Sequence, residues 1–264
     1  MRIFNGNLAA SVAGPAEPEG AVGVFETALL RAGEPQFFEE HFARYAAGCG
    51  YFSLGAAAPD AAALREAAAR LRDAVGIADG VLRWSAWREA GGTVNWQLTV
   101  EPPRPHMARS VWTAMNSARR LPDPGPETAC KHLGRRLWRE ALGAARAQGF
   151  DEVLLSDRLG RVVEGAVSNV FCVTDGRVRT PAVACGPLPG TARGRVIRLA
   201  RQIGVAIEEG GLTPADLCAA QELFVTNALV GIRPLAALDG VPFVAPGPVT
   251  ARLQAAWSGL ADRG

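Results

Sequence analysis

The spacing of apolar and polar positions changes several times along this chain. Arg2-Ile3-Phe4 and Val24–Leu30 are short stretches with strand character, the second turning at Ala32-Gly33. A helix is expected to carry His41 and Arg44. From about Asp60 to Val75 the period is helical, with Ala63, Leu64, Ala67 and Leu71 on one face and Gly76 as a stop. Val81–Trp87 and Val94–Val100 alternate around Gly91-Gly92, which predicts a hairpin. These elements form a first lobe over residues 1–105.

Prolines at 102, 103 and 105, and again at 122, 124 and 126, punctuate the chain. They predict a linker over 106–122 and a second lobe over 123–264. Leu133, Leu137, Ala141 and Ala144 share a helical face that ends before Gly149, so Lys131 is expected at the entrance to a helix. Strand signals follow at Val153–Leu155, Arg161–Glu164 and Ser168–Val173, and Asp175-Gly176 turns the last of these into Arg177–Arg179. Leu188–Arg193 leads into a helix carrying Val196, Ile197, Ala200 and Ile203 and closed by Gly204. Thr213-Pro214 opens a short helix, Glu222–Thr226 reads as a strand ending in Asn227, and a last helix covers roughly 249–260. The helix after Gly190-Thr191 presents backbone N–H groups suited to an anion, although many helices begin this way with no ligand.

Composition narrows the function. The 264 residues are 48% hydrophobic and 20% charged with a net charge of +2, an ordinary globular balance without the basic stripe of a nucleic-acid binder. No apolar run suits a membrane span and no leader is apparent, so a cytoplasmic location is expected. The 5 cysteines include no CxxC pair, and His41, His106 and His132 lack metal-ligand spacing, so no metal site is expected. Of the 28 basic residues, Lys131 alone is lysine. Arginine can replace lysine in solubility and ion pairing, but its guanidinium stays protonated and forms no imine. Chance survival of one lysine is the alternative. A P-loop is excluded, because His132 follows Lys131 and no GxxxxG precedes it.

Lys131-His132-Leu133, Val163-Glu164-Gly165-Ala166-Val167-Ser168-Asn169-Val170-Phe171, Leu188-Pro189-Gly190-Thr191-Ala192-Arg193 and Thr226-Asn227-Ala228-Leu229 occur in that order. Together they resemble the class IV (fold-type IV) pyridoxal-phosphate enzymes, which include branched-chain and D-amino-acid aminotransferases and aminodeoxychorismate lyases. Gly23–Thr27 and His41–Arg44 are similar to the family's opening strand and following helix. The resemblance implies an α/β fold of two α+β lobes with pyridoxal 5'-phosphate at their junction, a small-molecule amine as substrate, and a homodimer.

Residue by residue, the resemblance implies that Lys131 holds the cofactor as an imine and later moves the substrate proton. Glu164 would pair with the pyridinium nitrogen, keeping the ring an electron sink; a surface glutamate at a strand end is the alternative. Arg44 would contact the phosphate, unless it is a solvated helix arginine. Asn169 and the backbone at Gly190, Thr191, Ala192, Asn227 and Ala228 would complete the cofactor site. The sequence departs from the family at Val22 and Leu29, where an Asp and a basic residue are often found, and at Ala228, where aminotransferases commonly have Thr or Ser. Residues 226–234 look closer to the lyases, so conversion of 4-amino-4-deoxychorismate to 4-aminobenzoate and pyruvate is the expected reaction. Transamination of D-amino or branched-chain acids is the alternative. Trp84, Trp87 and Trp96 are candidate interface residues, with core packing as the competing reading.

Overall fold

The computed structural model describes residues 1–9, 17–18 and 20–261. Two compact units result: Met1–Arg104 with Cys130–Arg135, and Pro105–Ala129 with Arg136–Gly264.

The first unit contains β1 (Arg2–Phe4), β2 (Asn7–Ala9), β3 (Val22–Arg31), β4 (Glu34–Pro35), α1 (Phe38–Tyr51), α2 (Ala61–Val75), β5 (Gly80–Arg88) and β6 (Val94–Glu101). Its six-stranded sheet has the order β2-β1-β6-β5-β3-β4, antiparallel throughout. Alternation along β3 sends Val24, Glu26, Ala28 and Leu30 inward. Three of those four are apolar, and the fourth is a carboxylate. The helix α2 begins at Asp60, whose side chain accepts a hydrogen bond from Ala63 N, and ends at Gly76 in the left-handed conformation. Between these caps Leu64, Ala67, Ala68 and Leu71 form the stripe that joins the core.

The tryptophans of this unit settle one expectation. Trp84 and Trp87 are 1% and 0% exposed, and half-buried Trp96 packs on the same core as Trp84. Trp84 and Trp87 therefore belong to the interior of the unit and offer no docking surface.

The second unit contains β7 (Trp112–Arg120), α3 (Arg136–Ala147), β8 (Glu152–Ser156), β9 (Val162–Gly165), β10 (Asn169–Thr174), β11 (Arg177–Pro181), α4 (Thr191–Gln202), β12 (Ile207–Gly210), α5 (Pro214–Cys218), β13 (Glu222–Asn227), β14 (Gly231–Leu238), β15 (Val241–Pro242) and α6 (Pro248–Ala261). Its sheet runs β12-β11-β10-β13-β14-β7-β8-β9, with β15 on β14. The pairs β11/β12, β14/β7 and β7/β8 are parallel and the rest antiparallel. Phe171 and Phe224 stack across β10 and β13 at 4.8 Å between ring centroids, at the centre of one core cluster.

Two expectations give way here. Residues 106–122 are not a linker, because β7 lies between β14 and β8 with Trp112 and Ala114 buried. The strand was hard to read since its second half is polar and outward-facing. Likewise, the helix after Lys131 starts at Arg136, and Leu133 is not part of it. The segment 131–133 is extended: Phe25 N donates to Lys131 O at 2.8 Å, and Leu133 N donates to Gly23 O at 2.9 Å. Strand pairing over a separation of more than 100 residues has overridden the local helical spacing.

Candidate active site

The segment Cys130–Arg135 belongs to the first unit, and Lys131–Leu133 bind it to β3. Half-buried Lys131 then has its ammonium nitrogen 5.1 Å from the centre of the Phe25 ring. Arg83 lies over the same ring at 4.1 Å. Burial and the charge of Arg44 lower the Lys131 amine to about 7, with further lowering from Arg135 and Arg83 and a contrary pull from Glu26. A substantial fraction is therefore neutral near pH 7, the form that attacks a carbonyl or accepts a proton.

Below that segment, Glu26 is fully buried. Arg44 donates from Nε to Oε1 and from Nη2 to Oε2, both at 2.7 Å, and His41 Nδ1 lies 2.7 Å from Oε2. Burial alone would raise this carboxyl, but Arg44 and His41 outweigh it and hold Glu26 at about 2. Arg44 is thus no solvated surface arginine; its guanidinium is fixed by a planar two-point contact.

In the second unit Glu164, 2% exposed, lies on β9. Trp138 Nε1 donates to its Oε1 at 2.8 Å and Leu188 N to its Oε2 at 2.9 Å. The carbonyl of Leu188 accepts from Asn169 Nδ2 at 2.9 Å, so Glu164 and Asn169 grip one peptide segment. The turn after Glu164 is fixed by buried Glu152, which accepts from Val153 N, Ala166 N, Val167 N and Ser168 Oγ. Burial pushes the Glu152 carboxyl up, while those donors act in the opposite direction. A surface role for Glu164 is incompatible with this burial.

Gly190 is the N-cap of α4 and has no side chain to occupy the first-turn amides of Thr191 and Ala192. A Cβ at Gly190 would collide with Asn169 Oδ1, which explains the glycine. Asn169 pairs directly with Thr226 across β10 and β13, so the two side chains share a sheet face. The Thr226 hydroxyl is buried and has no hydrogen-bond partner among the described residues. Next to it, Asn227 Oδ1 accepts from Leu229 N and Val230 N, and its Nδ2 donates to Val167 O, which shapes the turn that includes Ala228. The second unit thus gathers Glu164, Asn169, Gly190, Thr191, Ala192, Asn227 and Ala228 around two connected turns and a helix start.

The model of the amino-transferase class IV family matches residues 23–238. The chain belongs to the class IV aminotransferase family. The branched-chain-amino-acid aminotransferase of Escherichia coli K12 is 36% identical over 136 residues, 50% of this chain and 44% of that protein. The chain therefore matches about half the length of that relative. The 4-amino-4-deoxychorismate lyase of Pseudomonas aeruginosa superposes with a TM-score of 0.79 and 29% identity, covering 99% of this chain and 98% of that one. A Mycobacterium tuberculosis protein described as a hypothetical aminotransferase in its pyridoxal-phosphate-bound form shares the fold, with a TM-score of 0.86, 23% identity and full coverage of both chains.

Pyridoxal phosphate is the cofactor of class IV enzymes, and the residues present fit it. Lys131 offers a primary amine lowered to about 7 for the aldehyde. A buried carboxylate oriented by the Trp138 indole and the Leu188 N–H suits the ring nitrogen. The start of α4 and the unpartnered Thr226 hydroxyl suit a phosphate. Sequence reasoning missed Thr226, Trp138, Glu152 and Glu26. Glu26 carries a sequence signal, as a charge in the inward phase of an otherwise apolar alternation, and Thr226 stands inside the Thr226–Leu229 motif.

Proposed function

We propose that this class IV enzyme is a lyase that converts 4-amino-4-deoxychorismate to 4-aminobenzoate and pyruvate. The observation that carries the substrate class is the setting of Lys131: an amine lowered to about 7 beside the charges of Arg44, Arg135 and Arg83, with Glu26 pulling the other way. Guanidinium groups around the amine favour an anionic substrate, and this one carries two carboxylates. End-to-end likeness to the Pseudomonas lyase supports the reading, as does the lyase-like segment Thr226–Pro234.

Each residue has a defined task in this reading. The neutral Lys131 Nζ would hold the cofactor through its aldehyde and, as a free amine, would take the proton from the amine-bearing ring carbon of the substrate. Bound pyridoxal phosphate supplies a ring that accepts the electron pair released at that carbon. The Glu164 carboxylate keeps a proton on the ring nitrogen, with Trp138 and Leu188 N holding it in place. Thr226 and the amides of Thr191, Ala192 and Ala228 would receive the phosphate, a task the resemblance also gives to Arg44, and Asn169 and Asn227 shape the turns in the second unit. Loss of the proton and of the enolpyruvyl ether oxygen aromatises the substrate ring. The reaction needs neither an oxidant nor an amino acceptor.

Transamination of branched-chain or D-amino acids is the second reading, favoured by the 36% identity to the Escherichia coli aminotransferase. The absence of a basic residue at Leu29 counts against it. The two separate in an assay with 4-amino-4-deoxychorismate and no keto acid, followed by 4-aminobenzoate fluorescence. Sustained release supports the lyase. No release, together with conversion of the cofactor to its amine form by leucine or D-alanine, replaces it with the aminotransferase.

A further inference from the structure

Glu26 takes no part in the chemistry just described, yet its carboxylate is wholly committed inside the first unit. It is fully buried, and both oxygens are bound by Arg44 and one also by His41. His41 is itself buried, with Trp84 edge-on against its ring. A buried carboxylate is costly unless paired, and removal of one partner leaves an uncompensated charge. The backbone makes the cluster local to Lys131: Phe25, next in sequence to Glu26, donates its N–H to the Lys131 carbonyl.

We propose that Glu26 is a positioning residue of the cofactor site, aiming the Arg44 guanidinium and supplying negative charge that partly offsets the arginines around the Lys131 amine. This rests on the reading of Lys131 as the cofactor-bearing amine and Arg44 as a phosphate ligand. The bidentate geometry leaves the guanidinium a single orientation, which no hydration shell would impose. His41 fixes the carboxylate from a second side, so that Arg44 cannot turn by taking Glu26 with it. The charged groups of this unit that act on the Lys131 amine are Glu26 on β3, Arg44 on α1, Arg83 on β5 and Arg135 in its own segment. Glu26 is the anion among them and the partner of Arg44, while Arg83 is paired with Glu17 at 2.8 Å; without Glu26 the Arg44 charge that opposes the ammonium form is left uncompensated.

The sole lysine makes the amine directly measurable in the apoprotein, without the cofactor. Trinitrobenzenesulfonate reacts only with neutral amines, and peptide mapping separates Lys131 from the N-terminal amine. Wild-type labelling at Lys131 should have a midpoint at about pH 7. In Glu26→Gln the midpoint should fall by on the order of one pH unit, a tenfold change in the amine-to-ammonium ratio at fixed pH. Arg44→Gln should move it in the opposite direction, and serves if Glu26→Gln fails to fold. Glu26→Asp separates the two roles: it keeps the charge, so the midpoint stays near wild type, but it shortens the arm that aims Arg44. Its affinity for pyridoxal phosphate, read by equilibrium dialysis, should weaken by about tenfold, comparable to losing a positioning contact around a bound ligand. Unmoved midpoints in folded Glu26→Gln or Arg44→Gln overturn the charge role, and wild-type affinity in Glu26→Asp overturns the aiming role. A borohydride adduct at a residue other than Lys131 would instead defeat the underlying reading, while the apoprotein midpoints would still report on Glu26.

Discussion

The two units each bury a glutamate beside a residue of the proposed site, and they bind it in opposite ways. Glu26 is bound by the cation Arg44 and by His41 and is held at about 2. Glu164 receives hydrogen bonds from an indole and a peptide N–H, both neutral. Neutral donors orient a carboxylate without themselves adding a positive charge, which suits the task proposed for Glu164 at a pyridinium nitrogen. The charge of Glu26 is spent inside the protein, where it orders another residue. Burial alone therefore does not mark a catalytic carboxylate; the groups that orient it have to be read with it.

Replacement of each glutamate breaks that contrast differently. Glu164→Gln preserves size and accepts a hydrogen bond at one atom, but it removes the charge. The variant should fold and bind pyridoxal phosphate, yet lose turnover by on the order of a hundredfold or more, as when a preorganised electrostatic contact is removed. Steady-state rates at matched cofactor occupancy check this, and undiminished turnover would return Glu164 to a structural role.

Glu26 should instead show itself in acid stability. Its pKa is depressed from 4.5 to about 2, so its contribution is present above pH 4.5 and is lost as the pH falls toward 2. That shift corresponds to about 3 kcal/mol by linkage. Urea unfolding of the apoprotein between pH 5 and 2 should show this loss in wild type, and a shallower one in Glu26→Gln. Parallel slopes would mean that the ion pair adds nothing to folding.

A smaller effect is expected from Trp138→Phe, which keeps an aromatic ring and deletes one donor to Glu164. Loss of a hydrogen bond to a charged group costs about 1.5–3 kcal/mol. Turnover should fall by roughly tenfold or somewhat more, and the pH dependence of the bound-cofactor spectrum should shift. A spectrum identical to wild type would show that Leu188 N suffices to hold Glu164.

The contrast also explains how much could be read from the chain. Lys131 stood out as the only lysine, and Glu164 came with the Gly165–Asn169 pattern that follows it. Helix α2 was legible because Asp60 and Gly76 cap it and its stripe is local. The placement of Lys131 was not, since its segment is fixed by pairing with β3, more than 100 residues earlier. Trp138 is one of 6 tryptophans, and nothing near it in sequence signals an indole aimed at Glu164. Strand β7 was lost between two proline clusters because only its first half is buried. Long-range pairing and side-chain aim are set by the folded core, whereas caps, turns and rare residues are written locally.

The central claim is that Lys131 carries the cofactor, and the chain allows it to be tested at a single residue. Reduction of the loaded enzyme with borohydride should bleach the visible band and fix the cofactor to one amine. Trypsin does not cut at a modified lysine, so the adduct should appear on a peptide running from Leu121 through Lys131 to Arg135. Recovery of the label on that peptide is the predicted result. Label on the N-terminal amine, or a Leu121–Lys131 peptide cut normally and unlabelled, would contradict the account.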